Sequence, residues 1–144
     1  MDFISLDNAS YDQFDDAQVA GIERVLARDE TDANVRSVVV GMHDALPDSI
    51  STGHGMNESA QMERSGRRVY QDLLAFRNKA KKYVYVLASH SHFLIADVYN
   101  NVCHPKPEAV LPGWIVGTVA FRLTLLWVRT NEPDESYRVD VRPS

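Results

Sequence analysis

The residues of this chain best suited to chemistry are its histidines, and three of them fall where apolar runs stop. Tyr83-Val84-Tyr85-Val86-Leu87 is an aromatic and β-branched run that reads as a buried strand. It breaks into Ala88-Ser89-His90-Ser91-His92, two imidazoles one residue apart, before a second apolar run opens at Phe93. Neutral imidazole is the commonest nitrogen ligand for transition metals, so a strand ending in His-x-His places two metal-ligand candidates on the rim of a sheet. The plainer alternative is a pair of polar turn residues. Ser37-Val38-Val39-Val40 is another continuous β-branched run, and His43 follows it closely. Ligand groups in open α/β sheets collect at the carboxyl ends of strands. Alone, His43 reads as a loop-edge histidine bonded to a carbonyl. If the strands are neighbours, the rings of His43, His90 and His92 converge, and that convergence weighs more than any single histidine.

Other polar residues are less specific. His54, in Gly53-His54-Gly55, reads as a flexible loop residue or as a substrate contact at the mouth of a site. Asp44 and Asp48 are either loop solvation or carboxylates that orient imidazoles. His104 is assigned to the surface. A single structural zinc site built from His43, His54, His90 and His92 is a further arrangement.

The elements that must carry these residues follow from periodicity. Phe3 to Asp7 alternates apolar and polar and reads as a short strand. Asp15 or Asp16 caps a helix to about Arg28, with Val19, Ile22, Val25 and Leu26 on its buried face. Val35 to Met42 is a strand buried on both faces. Asn57 caps a second helix running from Glu58 to about Lys81, whose apolar stripe is Met62, Gly66, Val69, Leu73, Phe76 and Ala80. Gly66 on that stripe implies close helix–sheet approach. Strands are expected at Tyr83 to Leu87, at Phe93 to Tyr99 and across Ile115 to Val128, with turns at Asn100 to Pro107 and at Leu111 to Trp114. Alternating strands and helices followed by a hairpin predict an α/β fold: a mixed sheet with two main helices. The ordered domain is expected to span residues 1–128, with a polar, disordered tail at 129–144.

Composition narrows the class. With 144 residues and 44% hydrophobic content, one compact domain is expected. A net charge of −5 argues against a nucleic-acid partner. The single cysteine, Cys103, excludes an intramolecular disulfide. The N-terminus has no secretory pattern and no apolar run is long enough for a membrane span, so a cytoplasmic location is the default expectation.

Taken together, the blocks resemble calcineurin-like metallophosphoesterases. Val38-Val39-Val40-Gly41-Met42-His43 resembles the family's strand ending in a single His, and Ala88-Ser89-His90-Ser91-His92 resembles its last block, usually Gly-His-x-His, with Ser89 in the glycine's place. Phe3-Ile4-Ser5-Leu6-Asp7 and the helix after it resemble the strand and helix preceding the single-His block, and Leu111 to Thr118 is similar to a segment that follows the His pair in one bacterial branch. The resemblance implies an αββα sandwich and a site for two divalent metals, with His43 and His90 on one and His92 on the other. It also implies hydrolysis of phosphate esters by a metal-activated water. Zn, Fe, Mn and Ni all suit imidazole ligands.

The family's first three blocks, Asp-x-His, Gly-Asp and Gly-Asn-His, have no counterpart in the chain. The chain is therefore similar to the C-terminal half of such an enzyme and is expected to be inactive alone. A phosphate-ester substrate is expected only when an N-terminal half completes the site. The alternative is a non-catalytic interaction or regulatory half-domain that pairs with a separate N-terminal chain, with an exposed sheet edge favouring association.

Overall fold

The computed structural model describes residues 1–9, 13–51, 53 and 55–117, together with the backbone of 125–126 and 139–140. Its centre is a five-stranded mixed sheet with two helices. The elements in order are β1 (Asp2–Ser5), α1 (Asp16–Thr31), β2 (Ser37–Met42), α2 (Ala60–Ala80), β3 (Tyr83–Ala88), β4 (Leu94–Ala96) and β5 (Gly113–Val116). Leu125–Leu126 and Val139–Asp140 form a two-residue antiparallel ladder. The strand expected through Val128 and the tail at 129–144 otherwise lie outside the described residues.

The sheet order is β1-β2-β3-β5-β4. The first four of these strands run parallel, and β4 pairs antiparallel with β5. Parallel neighbours need a crossover, and right-handed crossovers through α1 and α2 lay both helices on one face. There Ile4, Val38, Val40, Val84 and Val86 pack with Ile22, Leu26, Val69, Leu73 and Phe76 in a single core. The opposite face carries the alternate residues. Phe3, Val39 and Tyr85 stand side by side across three strands, and Leu87 pairs with Trp114. Phe3 and Tyr83 on this face are 61% and 68% exposed, while Val39 on the strand between them is buried, so the face presents aromatic rings to solvent at Phe3 and Tyr83.

Local chemistry sets the element ends. The Asp15 carboxylate accepts from the Gln18 amide at 2.7 Å and caps α1. At the other end, Lys82 Nζ donates to the carbonyls of Asp29 and Asp32, a cation closing a helix C-terminus. The cap of α2 is Ser59, not Asn57, because its hydroxyl reaches the Met62 amide at 3.1 Å. Lys81, at φ 56°, ends that helix in the left-handed conformation.

Three expectations are revised. Gly66 does lie on a crowded stripe, but a Cβ there would meet Pro47 Cδ at 2.4 Å and Met56 Sδ at 3.1 Å. It makes room for the loop after β2, not for the sheet. Gly113, expected in a turn, opens β5, since the buried Tyr99 ring lies where its Cβ would be, 2.5 Å away. The strand expected through Tyr99 stops at Ala96, because Asp97 takes φ 53° and redirects the chain.

The edge of the sheet is also managed. The Leu6 amide bonds inward to the Gly41 carbonyl, so the amides of residues 3, 5 and 7 face outward. The Phe3 amide is taken by the Asp2 carboxylate at 2.9 Å. The Gln18 side chain accepts from the Asp7 amide and donates to the Asp7 carbonyl, both at 2.8 Å, as a neighbouring peptide group would. Among the described residues, no helix is long and apolar enough to cross a membrane.

Candidate metal centre

Parallel strands bring their carboxyl ends to one side, and this chain leaves β1, β2 and β3 there through Asn8, His43-Asp44 and Ser89-His90. Three loops therefore meet at one rim. The His43 carbonyl accepts hydrogen bonds from the Ser89 and His90 amides at 2.9 and 2.8 Å, which docks the end of β3 onto the end of β2. His90 Nδ1 then lies 2.7 Å from His43 Nε2 and 3.3 Å from Asp44 Oδ1. The two rings meet edge to face, with centroids 4.6 Å apart and planes at 89°. Among the described residues, His43, Asp44 and His90 form a group whose ligand atoms all lie within 4.8 Å of one another.

The donor set suits a borderline divalent cation: two imidazole nitrogens and one carboxylate oxygen. Ligands at zinc-like bond lengths sit about 3.4 Å apart around a tetrahedral ion. The His90–Asp44 separation already has that length. The His43–His90 separation is that of a hydrogen bond, and a cation would spread the rings by about half an ångström. The Asp44 side chain is 11% exposed and that of His90 39%. The carboxylate is thus more shielded than the imidazole.

Of the residues singled out in the sequence, His43 and His90 come together and His92 does not join them. It is exposed and lies outside the three-residue group. Convergence of all three rings is therefore reduced to two rings and a carboxylate. Asp44 is buried against His90 instead of solvating a loop. Asp48 pairs with Arg67 of α2 at 3.1 Å, away from the rim. His54 lies outside the described residues, and the four-histidine zinc arrangement with it. His104, expected at the surface, is half-buried. Its ring stacks on Tyr70 with centroids 4.7 Å apart, and its Nε2 is buried without a hydrogen-bond partner among the described residues.

Several residues that hold this rim carry no local sequence signal. Asn8 is wholly buried and bonded to the backbone of His43 and Asp44. Tyr99 is also buried, and its hydroxyl accepts from the Leu46 amide at 2.9 Å, pinning the base of the loop after Asp44. Burial raises the Tyr99 hydroxyl pKa, opposed by that amide, so it stays a neutral partner. Ser51 and Ser91 hydroxyls, 3.4 Å apart and both buried, join the same loop to the His90 loop. A polar residue just past a strand end was the available hint for Asn8; its partners lie 35 and 36 residues away and show no periodicity.

No family model, curated protein or solved structure matches the chain.

Proposed function

We propose that this chain is the metal-holding C-terminal portion of a metal-dependent phosphoesterase. The observation that carries the reading is the meeting of His43 Nε2, His90 Nδ1 and Asp44 Oδ1 at the carboxyl rim of neighbouring parallel strands. His43, Asp44 and His90 would hold a divalent ion there. Such an ion supplies Lewis-acid activation of water and neutralises charge on a phosphate ester. The residues themselves orient it. Asp44 brings negative charge to a shielded position, and the two imidazoles, docked through the His43 carbonyl, keep a fixed relation to each other.

Three protein donors make an incomplete two-metal centre. The second ion of the αββα sandwich architecture would draw on His92 and on ligands from an N-terminal half. The isolated chain is accordingly expected to bind one ion and to turn over p-nitrophenyl phosphate at or near background. Zinc or manganese titrated by calorimetry into the chain, and into His90→Ala, tests the site. Binding of equal strength in both would remove it. Strong metal-dependent hydrolysis by the chain alone, abolished in His90→Ala, would show that the site is complete without another half.

A second reading, a non-catalytic half-domain that pairs with a separate chain, is favoured by the exposed aromatic rings of Phe3 and Tyr83 on the sheet face away from the helices. A face of this kind is the surface on which a second sheet layer packs. The two readings part on one mixing experiment: phosphatase activity that appears when a matching N-terminal half is added supports the enzyme, and stable association without activity supports the module.

A further inference from the structure

The wholly buried Asn8 sits just past β1, outside any ligand set, yet three hydrogen bonds tie it to the two residues that begin the candidate metal centre. Its Oδ1 accepts from the His43 amide and from the Asp44 amide, each at 3.0 Å. Its Nδ2 donates to the Asp44 carbonyl, also at 3.0 Å. One carboxamide thereby fixes the peptide groups on both sides of the Asp44 Cα. The geometry points to Asn8 as a positioning residue for metal binding: it sets the backbone from which the His43 ring and the Asp44 carboxylate project toward His90. The inference rests on the metal-site reading above and goes beyond it, since these three hydrogen bonds of Asn8 all go to backbone atoms.

The physical case turns on what else could hold that backbone. His43 and Asp44 follow the last ladder pair of β2, Met42 with Ala88, so no strand neighbour fixes them. The His43 carbonyl is anchored by Ser89 and His90, which orders one side of His43 only. The His43 amide, the Asp44 amide and the Asp44 carbonyl all find their partner in Asn8. Those groups are buried or partly buried, and buried amides left without partners recruit water or move. A small rotation about the His43–Asp44 peptide would separate the carboxylate from His90 Nδ1, now 3.3 Å away. Asparagine is required for the full pattern. Aspartate keeps the acceptor but sets an oxygen against the Asp44 carbonyl, and alanine keeps neither.

Zinc affinity of the full chain, measured by competition with a chromophoric chelator well below the melting temperature, tests this. The proteins compared are the parent, His90→Ala, Asn8→Ala, Asn8→Asp and Val69→Ala. Val69 is buried in the α2 core, outside the ligand set, and serves as a destabilised control. Support for an outer residue of this kind is a loss of about 10-fold or more in Asn8→Ala, with a smaller loss in Asn8→Asp and parental affinity in Val69→Ala. Parental affinity in a folded Asn8→Ala, while His90→Ala binds weakly, would overturn the role of Asn8 and leave the metal site standing. Equal binding by the parent and His90→Ala would remove the metal site and this inference with it. Should Asn8→Ala not fold, Asn8→Asp decides alone: a loss beyond that of Val69→Ala supports the inference, and none overturns it.

Discussion

Gly117 and Ser91 touch backbone to backbone: a Cβ on Gly117 would lie 1.6 Å from the Ser91 carbonyl oxygen and 2.9 Å from that of Ser89. The chain leaving β5 thus closes over the turn that carries His90. Neither atom is at the end of a flexible side chain, so nothing can step aside cheaply. Gly117→Ala is expected to displace the His90 turn and to cost about 2 kcal/mol through overpacking. Because His90 moves, zinc affinity should fall by about 10-fold as well. Urea unfolding and a zinc titration on the same protein check both halves. A destabilised variant with parental affinity would show that the strain is absorbed elsewhere.

Tyr99→Phe removes only an oxygen, but that oxygen is the partner of the Leu46 amide in a region closed to water. The expected loss is about 1.5 kcal/mol, the cost of a buried donor left unpaired. It should appear as a lower urea midpoint with an unchanged slope. Since Leu46 begins the loop after Asp44, faster amide exchange across residues 45–51 is expected alongside.

Asp29 is buried in α1, where its Oδ1 accepts from Arg28 at 2.8 Å and its Oδ2 has no hydrogen-bond partner among the described residues. Burial raises its pKa above the ordinary 3.8, and the nearby Asp2 carboxylate pushes the same way, while Arg28 pulls it back. A carboxyl raised on folding stabilises the fold in full below its unfolded value, and that contribution is lost as pH rises through the folded value. Asp29→Asn keeps an acceptor for Arg28 and removes the charge. It is expected to be more stable than the parent at pH 7 by about 1 kcal/mol, with the difference closing toward about pH 4. Urea midpoints at the two pH values decide. A difference that widens on acidification would reverse the sign.

Phe3→Ser and Trp114→Ser alter the sheet face away from the helices and leave the three candidate ligands in place. Trp114 lies 6.0 Å from Tyr85, ring to ring, and Phe3 covers Gly41 at 3.4 Å from where its Cβ would be. If a partner layer packs on this face, each change should weaken association with an N-terminal half by about 10-fold, an effect of the size expected for one aromatic anchor. Sedimentation of the mixed chains measures it. Zinc affinity of the isolated chain should stay at the parental value in both.

The layout of the domain was largely legible because it rests on local periodicity. The β-branched runs at Ser37 and Tyr83 and the apolar stripe from Met62 to Phe76 each declare their element and buried face. His43 and His90 were legible for the same reason, as histidines standing just past the ends of such runs. What stayed hidden depends on partners distant in the chain. β5 is inserted between β3 and β4 with the Tyr99 ring lying over Gly113, and nothing near Gly113 announces that ring. Asn8 looks like loop polarity until its partners are known. Asp44 gave no sign of burial, since a carboxylate in a loop is ordinarily solvated. The exposure of His92 could not be read from spacing, because Ser91, one residue before it, turns inward to Ser51 and sends the next side chain out.

The carboxamide of Gln18 has a consequence for how copies of this chain can meet. By occupying both hydrogen-bonding positions of Asp7, it works as a stopper at the end of the β1 border, and the Asp2 carboxylate does the same near its start. A lateral row of strands needs a continuous run of unspent amides to grow along. Here that run is broken at both ends, so fibre-like templating along β1 is discouraged even though a sticky aromatic plane lies beside it. Along this border the molecule favours flat, layer-on-layer contact over edge-to-edge polymerisation.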